Sequence, residues 1–123
     1  MQIGLYANTH GVGYRDDVNN YTRSVPGTKL EPVAVAQTAE HNGFHSIWFP
    51  DHVCMPSETN SAHIANQTGA RSYSPRHDML DGAVVMGAVA SATSTIKLGT
   101  SVLVAPYRGP LSDARQFATV DVL

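Results

Sequence analysis

The stretch "HSIWFPDHVCMP", residues 45–56, carries the pattern that decides the fold. Residues 46–50 form a short, continuous apolar run of the kind found in strands that are buried on both faces. The run leads directly into Asp51 and His52, an acid and an imidazole. Ligands of parallel α/β proteins bind beyond the carboxyl ends of the strands, so an apolar strand ending in two ionisable groups indicates such a fold.

Two further strands are predicted on either side of this one. In residues 2–7 the apolar side chains of Ile3, Leu5 and Ala7 alternate along the chain, as in a half-buried strand. Residues 96–104, "IKLGTSVLV", are β-branched and largely apolar, which is typical of a buried strand. With residues 46–50, the chain therefore has three predicted strands.

Helices are predicted at residues 31–42, 78–93 and 110–123, because apolar side chains recur there three and four positions apart. Pro32 suits the first position of a helix, where a missing N–H costs nothing. Gly43 suits the left-handed position that often ends one. The resulting order, β-α-β-α-β-α, predicts a parallel sheet built by right-handed crossovers.

Two long polar segments, residues 11–30 and 53–77, interrupt this order and are interpreted as loops, the first with a short helical turn. The second is a candidate for closing a pocket, because long loops in compact folds tend to be functional. The sequence ends at Leu123 in its last predicted helix, with no closing strand. We therefore interpret residues 1–123 as one partial α/β domain belonging to a longer protein.

Composition limits the choice of partners. The 123 residues carry a net charge of −2 and give a pI of about 6.3, so there is no basic surface that would indicate nucleic acid or an anionic membrane. Small molecules and other protein chains are the expected partners. We find no signal peptide and no apolar window long enough for a membrane span, and Cys54 is the only cysteine. These features predict a cytoplasmic protein.

The end of the second strand is the most informative place chemically. His52 would titrate near neutrality and could donate or accept a proton, and the neighbouring Asp51 carboxylate could bias its charge. The alternative is that Asp51 caps a turn while His52 is merely exposed. Arg108, after the third strand, would either meet an anionic group or lie on the surface. Thr100 and Ser101 are hydroxyl residues in an apolar strand and need partners, from the backbone or from a ligand.

Other sites are not supported by the sequence. His41 and His45 have a spacing that could ligate a metal on one helix, but Gly43 between them marks the end of that helix, so we predict no metal site. Neither a nucleophile elbow nor a phosphate-binding Walker loop occurs.

Three segments together resemble the N-terminal part of the luciferase-like monooxygenase superfamily, namely "MQIGLYAN", "GFHSIWFPDHVCMP" and "IKLGTSVLVAPYRGPLSDARQFATVDVL". Their spacing matches across nearly the whole chain. The resemblance implies a (β/α)8 TIM barrel whose members bind reduced flavin or the deazaflavin coenzyme F420 at the carboxyl ends of the strands. This chain would supply the first three βα units of an incomplete barrel.

The resemblance also implies a site. His52 would take part in proton or hydride chemistry as the catalytic residue, and Ser101–Val102 would form a non-prolyl cis peptide behind the central ring of the cofactor. Cofactor contacts are implied for residues at all three strand ends: Ala7, Asn8, Asp51, His52, Thr100, Ser101 and Val102.

The implied function is that of a coenzyme F420-dependent oxidoreductase, which transfers a hydride between reduced deazaflavin and a small organic substrate. One alternative is an FMN-dependent luciferase-like monooxygenase, and another is a self-associating half-barrel without catalysis. We expect the 123-residue chain alone to be inactive, because the family's phosphate-binding groups lie in later strands. We also expect it to form homo-oligomers through its open sheet edge and apolar helix faces.

Overall fold

The computed structural model describes residues 1–10, 13–16, 20–24, 26–54 and 78–123, and side chains are described outside 13–16, 20–24 and 28. The elements, in chain order, are β1 (Gly4–Tyr6), β2 (Gly13–Asp16), β3 (Asn20–Ser24), α1 (Pro32–His41), β4 (Ser46–Phe49), α2 (Gly82–Ala90), β5 (Lys97–Thr100) and α3 (Pro110–Val122). Short 3-10 turns lie at Gly27–Lys29 and Ala105–Tyr107. None of the helices in these ranges is long and apolar enough to cross a membrane.

A parallel sheet of three strands, in the order β1-β4-β5, organises the fold. Ile47 in the central strand pairs with Leu5 on one side and with Leu98 on the other. The predicted α/β class and the predicted parallel pairing are both confirmed. Because the strands are parallel, the segments that follow their carboxyl ends all lie at one edge of the sheet, which we call the carboxyl edge.

The hydrophobic core lies between one face of the sheet and the helices. Side chains alternate between the faces of a strand, so Ile47 and Phe49 point to the same side. Both are fully buried there against small and branched residues of α1 and α2. The members of this core are Ala7, Ala36, Ala39, Ile47, Phe49, Val85, Met86, Val89 and Ile96.

Trp48 dominates the other face of the sheet. Its indole N–H donates to the Ser46 hydroxyl at 2.9 Å, and its ring lies over Gly99 of the neighbouring strand. A Cβ at Gly99 would stand 2.5 Å from the ring, and a Cβ at Gly4 would stand 2.9 Å from the indole nitrogen. The glycines on both neighbouring strands therefore make the room that the tryptophan occupies.

The third strand is shorter than predicted. The interval 96–104 was expected to be extended throughout, but β5 ends at Thr100. The Ser101 N–H still donates to the Phe49 carbonyl at 2.8 Å, after which the chain turns away into the 3-10 turn at Ala105–Tyr107. The residues after Ser101 are apolar, as in a strand, but they do not belong to β5.

The predicted bounds of two other elements also need correction. The helix predicted at 78–93 begins only at Gly82, because the Asp81 carboxylate accepts the Val84 N–H at 3.0 Å and so caps it there. The strand predicted at 2–7 is reduced to Gly4–Tyr6, the residues that pair with β4.

The interval 11–30, which was predicted to be a loop, contains an antiparallel pair instead. β2 and β3 form a two-stranded sheet with an irregularity in register between Tyr14 and Arg15. The sequences of both strands are polar and lack apolar alternation, so hydrophobic periodicity could not reveal them. The short helical turn expected in this interval is present at Gly27–Lys29. Most of the second predicted loop, residues 55–77, lies outside the described residues.

Glu40 holds the opposite, amino edge of the sheet together. One of its carboxylate oxygens accepts the backbone N–H groups of Ser94, Thr95 and Ile96 at 2.9, 2.6 and 2.9 Å, and also the Thr95 hydroxyl at 3.0 Å. These hydrogen bonds to the charged form lower the pKa of Glu40 to about 2. The end of α1 is thereby tied to the segment that leads into β5.

Candidate functional site

Three segments meet at the carboxyl edge: the first exit (residues 7–10), the second exit (50–52) and the third exit (101–108). The first and second are joined directly, because the Thr9 hydroxyl donates to the Pro50 carbonyl at 2.9 Å. The Thr9 carbonyl accepts the Leu80 N–H at 2.7 Å, and His10 forms an isolated bridge with Met79. The first exit is therefore fixed both to the second exit and to the chain before α2.

Asp51 joins the second exit to the third. Its side chain is 1% exposed, and both of its oxygens accept hydrogen bonds from the Arg108 guanidinium, with the Nε contact at 3.0 Å. The Val104 N–H donates to the same carboxylate at 3.0 Å. Burial by itself raises the pKa of Asp51, but the bonds from Arg108 and Val104 outweigh it and hold that pKa below its usual range.

Arg108 connects this carboxylate to two helices. Its Nη2 donates to the Asp81 carboxylate at 3.1 Å, and its Nη1 lies 3.7 Å from Asp113 in the first turn of α3. Asp81 is also the cap of α2. Of the two interpretations left open for Arg108, the structure supports an anionic partner, which is the chain's own carboxylate.

His52 lies against a second imidazole. The ring centroids of His10 and His52 are 5.2 Å apart, with 72° between the planes, an edge-to-face arrangement. His10 is buried and His52 is half-buried. Burial lowers the pKa of His52, the proximity of His10 lowers it further, and the Asp51 carboxylate opposes both effects without reversing them.

The third exit presents backbone and small side chains to solvent. The peptide bond between Ser101 and Val102 is cis, as the resemblance implied. Both residues are exposed, Val102 at 76%, whereas Thr100 before them is half-buried. The start of this exit thus offers an open surface, whereas Val104 and Arg108 at its end are bonded to Asp51.

The residues predicted for the site occupy different environments. Ala7 is buried and belongs to the hydrophobic core, while Asn8 is half-buried at the first exit. Two residues absent from the prediction, His10 and Asp81, take part in the contacts at this edge. The signal for His10 was its position directly after the first strand. Within the described ranges, no group of three or more His, Cys, Asp and Glu side chains could hold a metal ion.

Comparison with known proteins identifies the family. A family model described as luciferase-like monooxygenase matches residues 17–123, most of the chain. This chain therefore belongs to the luciferase-like monooxygenase family, whose members are oxidoreductases that use flavin or F420 cofactors.

The relatives that match individually are uncharacterized proteins. A Mycobacterium tuberculosis protein is 34% identical over 96 residues, which are 76% of this chain and 33% of the relative, and a Mycobacterium bovis protein matches with the same figures. A second uncharacterized Mycobacterium tuberculosis protein is 24% identical over 110 residues, which are 89% of this chain and 35% of that relative. The chain thus spans about a third of the length of these relatives. No solved structure matches it.

Proposed function

We propose that this chain forms the N-terminal part of a coenzyme F420-dependent oxidoreductase, which transfers a hydride between reduced deazaflavin and a small organic substrate. In this proposal the three parallel strands begin a (β/α)8 barrel, and the carboxyl edge faces the cofactor. Family membership supports the proposal, as does the strand order β1-β4-β5, in which neighbours along the parallel sheet follow the order of the chain.

The observation that carries the proposal is the environment of His52. Its imidazole is half-buried at the carboxyl edge, and its pKa lies below the usual value. It is therefore largely neutral at pH 7, where one ring nitrogen can accept a proton and the other can donate one. A group of this kind can hold or deliver the proton that accompanies reduction of an organic substrate.

The other residues at this edge suit a planar ring. Thr100, Ser101, Val102 and Asn8 offer hydroxyl, amide and apolar surface, and these four with His52 would hold the cofactor. When bound, the reduced deazaflavin supplies the hydride. The chain supplies orientation and the His52 proton.

Two charged residues, Asp51 and Arg108, connect the segments that form the site. Asp51, bonded to Arg108 and Val104, anchors the second exit to the third. Because carboxylates of the chain surround Arg108, we place the cofactor phosphates beyond these three βα units.

A flavin-dependent monooxygenase is the second candidate, because the description of the family names that activity. It would use the same edge of the sheet with FMN in place of F420. The two candidates differ in the cofactor that binds, and hence a binding experiment separates them.

The test uses the full-length protein that carries this sequence. It is titrated separately with F420 and with FMN, and binding is followed by the absorbance of each cofactor. We expect F420 to bind, and we expect His52→Gln to reduce turnover at least tenfold while leaving the fold intact. His45→Gln is the matched control, because His45 precedes β4 at the amino edge, roughly 20 Å away along the strand.

The other outcomes of this titration discriminate among the remaining hypotheses. Binding of FMN alone would favour the monooxygenase. Binding of neither cofactor would contradict both. A clean dimer of the 123-residue chain that melts cooperatively would then favour the half-barrel without catalysis.

A further inference from the structure

His10 and His52 leave the sheet on different strands and yet meet in one ring contact. His10 follows β1 and His52 follows β4, and their rings stand edge to face with 5.2 Å between centroids. This geometry is one that paired aromatic rings prefer, since the edge of one ring is electropositive and the face of the other electronegative. Nothing in the proposed function uses His10.

We propose that His10 is a positioning residue for His52, which it holds in one orientation through this edge-to-face contact. The inference rests on the proposed function, in which His52 handles the proton. The inference adds that His10, a residue from the neighbouring strand, governs the orientation and the protonation of the His52 ring.

His10 is well fixed for this purpose. It is 8% exposed and forms a backbone bridge with Met79. The residue before it, Thr9, is fully buried and bonds through its hydroxyl to the Pro50 carbonyl, two positions before His52. The backbones that carry the two rings are therefore tied to each other, and this tie keeps the two residues within reach of one another.

Besides orienting the His52 ring, His10 acts electrostatically on its charge. The ionisable groups that act on the His52 ring from the described residues are His10 and Asp51. The Asp51 charge is already shared with Arg108, which also meets Asp81 and Asp113. A positive charge on either imidazole disfavours a charge on the other, and burial acts in the same direction. Both residues also make further interactions beyond this pair.

The test follows the histidines of the full-length protein that carries this sequence by NMR, without cofactor, using the imidazole Cε1–Hε1 signals as a function of pH. His52→Gln assigns the His52 signal. His10→Phe keeps a ring at the contact without a charge, and His10→Gln removes the ring. We expect the titration midpoint of His52 to move upward in both His10 variants and to stay unchanged in His45→Gln, the control at the amino edge.

The orientation of the His52 ring is measured separately. We expect proton–proton nuclear Overhauser effects between the two rings in the wild type, which persist in His10→Phe and are lost in His10→Gln. A His52 midpoint that stays the same in both His10 variants would overturn the proposal, and so would the absence of any effect between the rings in the wild type.

The proposal stays testable if the His10 variants fail to fold. The nuclear Overhauser effect between the two rings of the wild type then remains the test, since it reports the edge-to-face contact directly. Its absence would overturn the proposal. Since no cofactor is present in these titrations, failure here is distinct from failure of F420 to bind the full-length protein.

Discussion

At the scale of single residues, the adjacent Asp51 and His52 perform different tasks. The Asp51 carboxylate is buried and accepts three N–H contacts from the third exit, whereas His52 faces a second imidazole. A buried carboxylate requires a paired cation, because an uncompensated charge away from water is costly. Arg108 satisfies this need, and Asp51 thereby acts as an anchor beside His52.

Removal of Arg108 should destabilise the protein strongly. We expect Arg108→Ala to lower the free energy of unfolding by about 3–5 kcal/mol, because it leaves the buried Asp51 carboxylate without its partner. Urea denaturation measures the loss. The control is Arg115→Ala, which removes an exposed arginine from the same part of the chain. The double variant Arg108→Leu/Asp51→Asn should recover part of the loss, and equal losses in Arg108→Ala and Arg115→Ala would contradict the anchor role.

At the scale of elements, the two edges of the sheet are held by different carboxylates. Glu40 ties α1 to the start of β5 at the amino edge, and Asp51 ties the end of β4 to the third exit at the carboxyl edge. The amino-edge connection consists of hydrogen bonds to backbone N–H groups, and the carboxyl-edge connection includes an ion pair. Loss of either should loosen β5 within the sheet.

The amino-edge connection should make stability depend on pH. The pKa of Glu40 is about 2 in the folded chain, below its ordinary value of 4.5. The ionised Glu40 carboxylate therefore stabilises the folded chain above about pH 4.5, and this stabilisation is lost as the pH falls toward 2. We expect Glu40→Gln to lower Tm at pH 7 and to differ little from the wild type near pH 2. Thermal melts across this range test the prediction, with Glu31→Gln as control, since Glu31 makes no capping bond.

Close packing between β4 and β5 should make Gly99 intolerant of a side chain. A Cβ there would lie 2.5 and 2.6 Å from two ring carbons of Trp48, so the ring must move. We expect Gly99→Ala to cost about 1–3 kcal/mol. Trp48 is the only tryptophan, and its fluorescence should shift as the ring is displaced. In a Trp48→Val background the same substitution should cost less; an unchanged cost would show that the ring is not the obstacle.

The sequence predicted the elements better than their limits. The apolar run at 46–50 and the alternation at 2–7 located β4 and β1, because burial on the helix-facing side sets those patterns. β2 and β3 were missed because their sequences lack the apolar alternation that predicts a strand. The end of β5 was misplaced because residues 102–104 remain apolar after the strand has ended.

Only the part of the site that adjacent residues form was predicted from the sequence. The position of His52 at a strand end follows from adjacent residues, and the sequence was enough for that. The meeting of His10 with His52, and that of Asp51 with Arg108, depend on the order of strands in the sheet. No short-range pattern encodes such contacts, so they required the structure.

At the scale of the whole molecule, much apolar surface is left in contact with solvent. Among the described residues, no further strand pairs with the outer edges of β1 and β5. A groove of about 580 Å³ runs between α2, β5 and α3, and α3 has no fully buried residue. The large exposed apolar side chains include Tyr6, Trp48, Val102, Tyr107, Leu111, Val122 and Leu123. Surfaces of this kind favour association.

The 123-residue chain should therefore self-associate. We expect sedimentation velocity to show dimers or larger species at micromolar concentration. Leu111, 87% exposed at the start of α3, is the residue to change, and Leu111→Glu should shift the distribution toward monomer. The control is Gln116→Glu, which adds the same charge to an exposed polar position of that helix. A monomeric wild-type chain would contradict the prediction.

The bond between Asp51 and Arg108 also bears on how the protein is made. Its partners are 57 residues apart in the chain, so a ribosome adding about 5–20 residues per second needs on the order of 3–10 s to synthesise the second after the first. During that interval Asp51, which follows β4, has no Arg108 to meet it. The ion pair that joins the second exit to the third consequently forms only after the first 108 residues have been made.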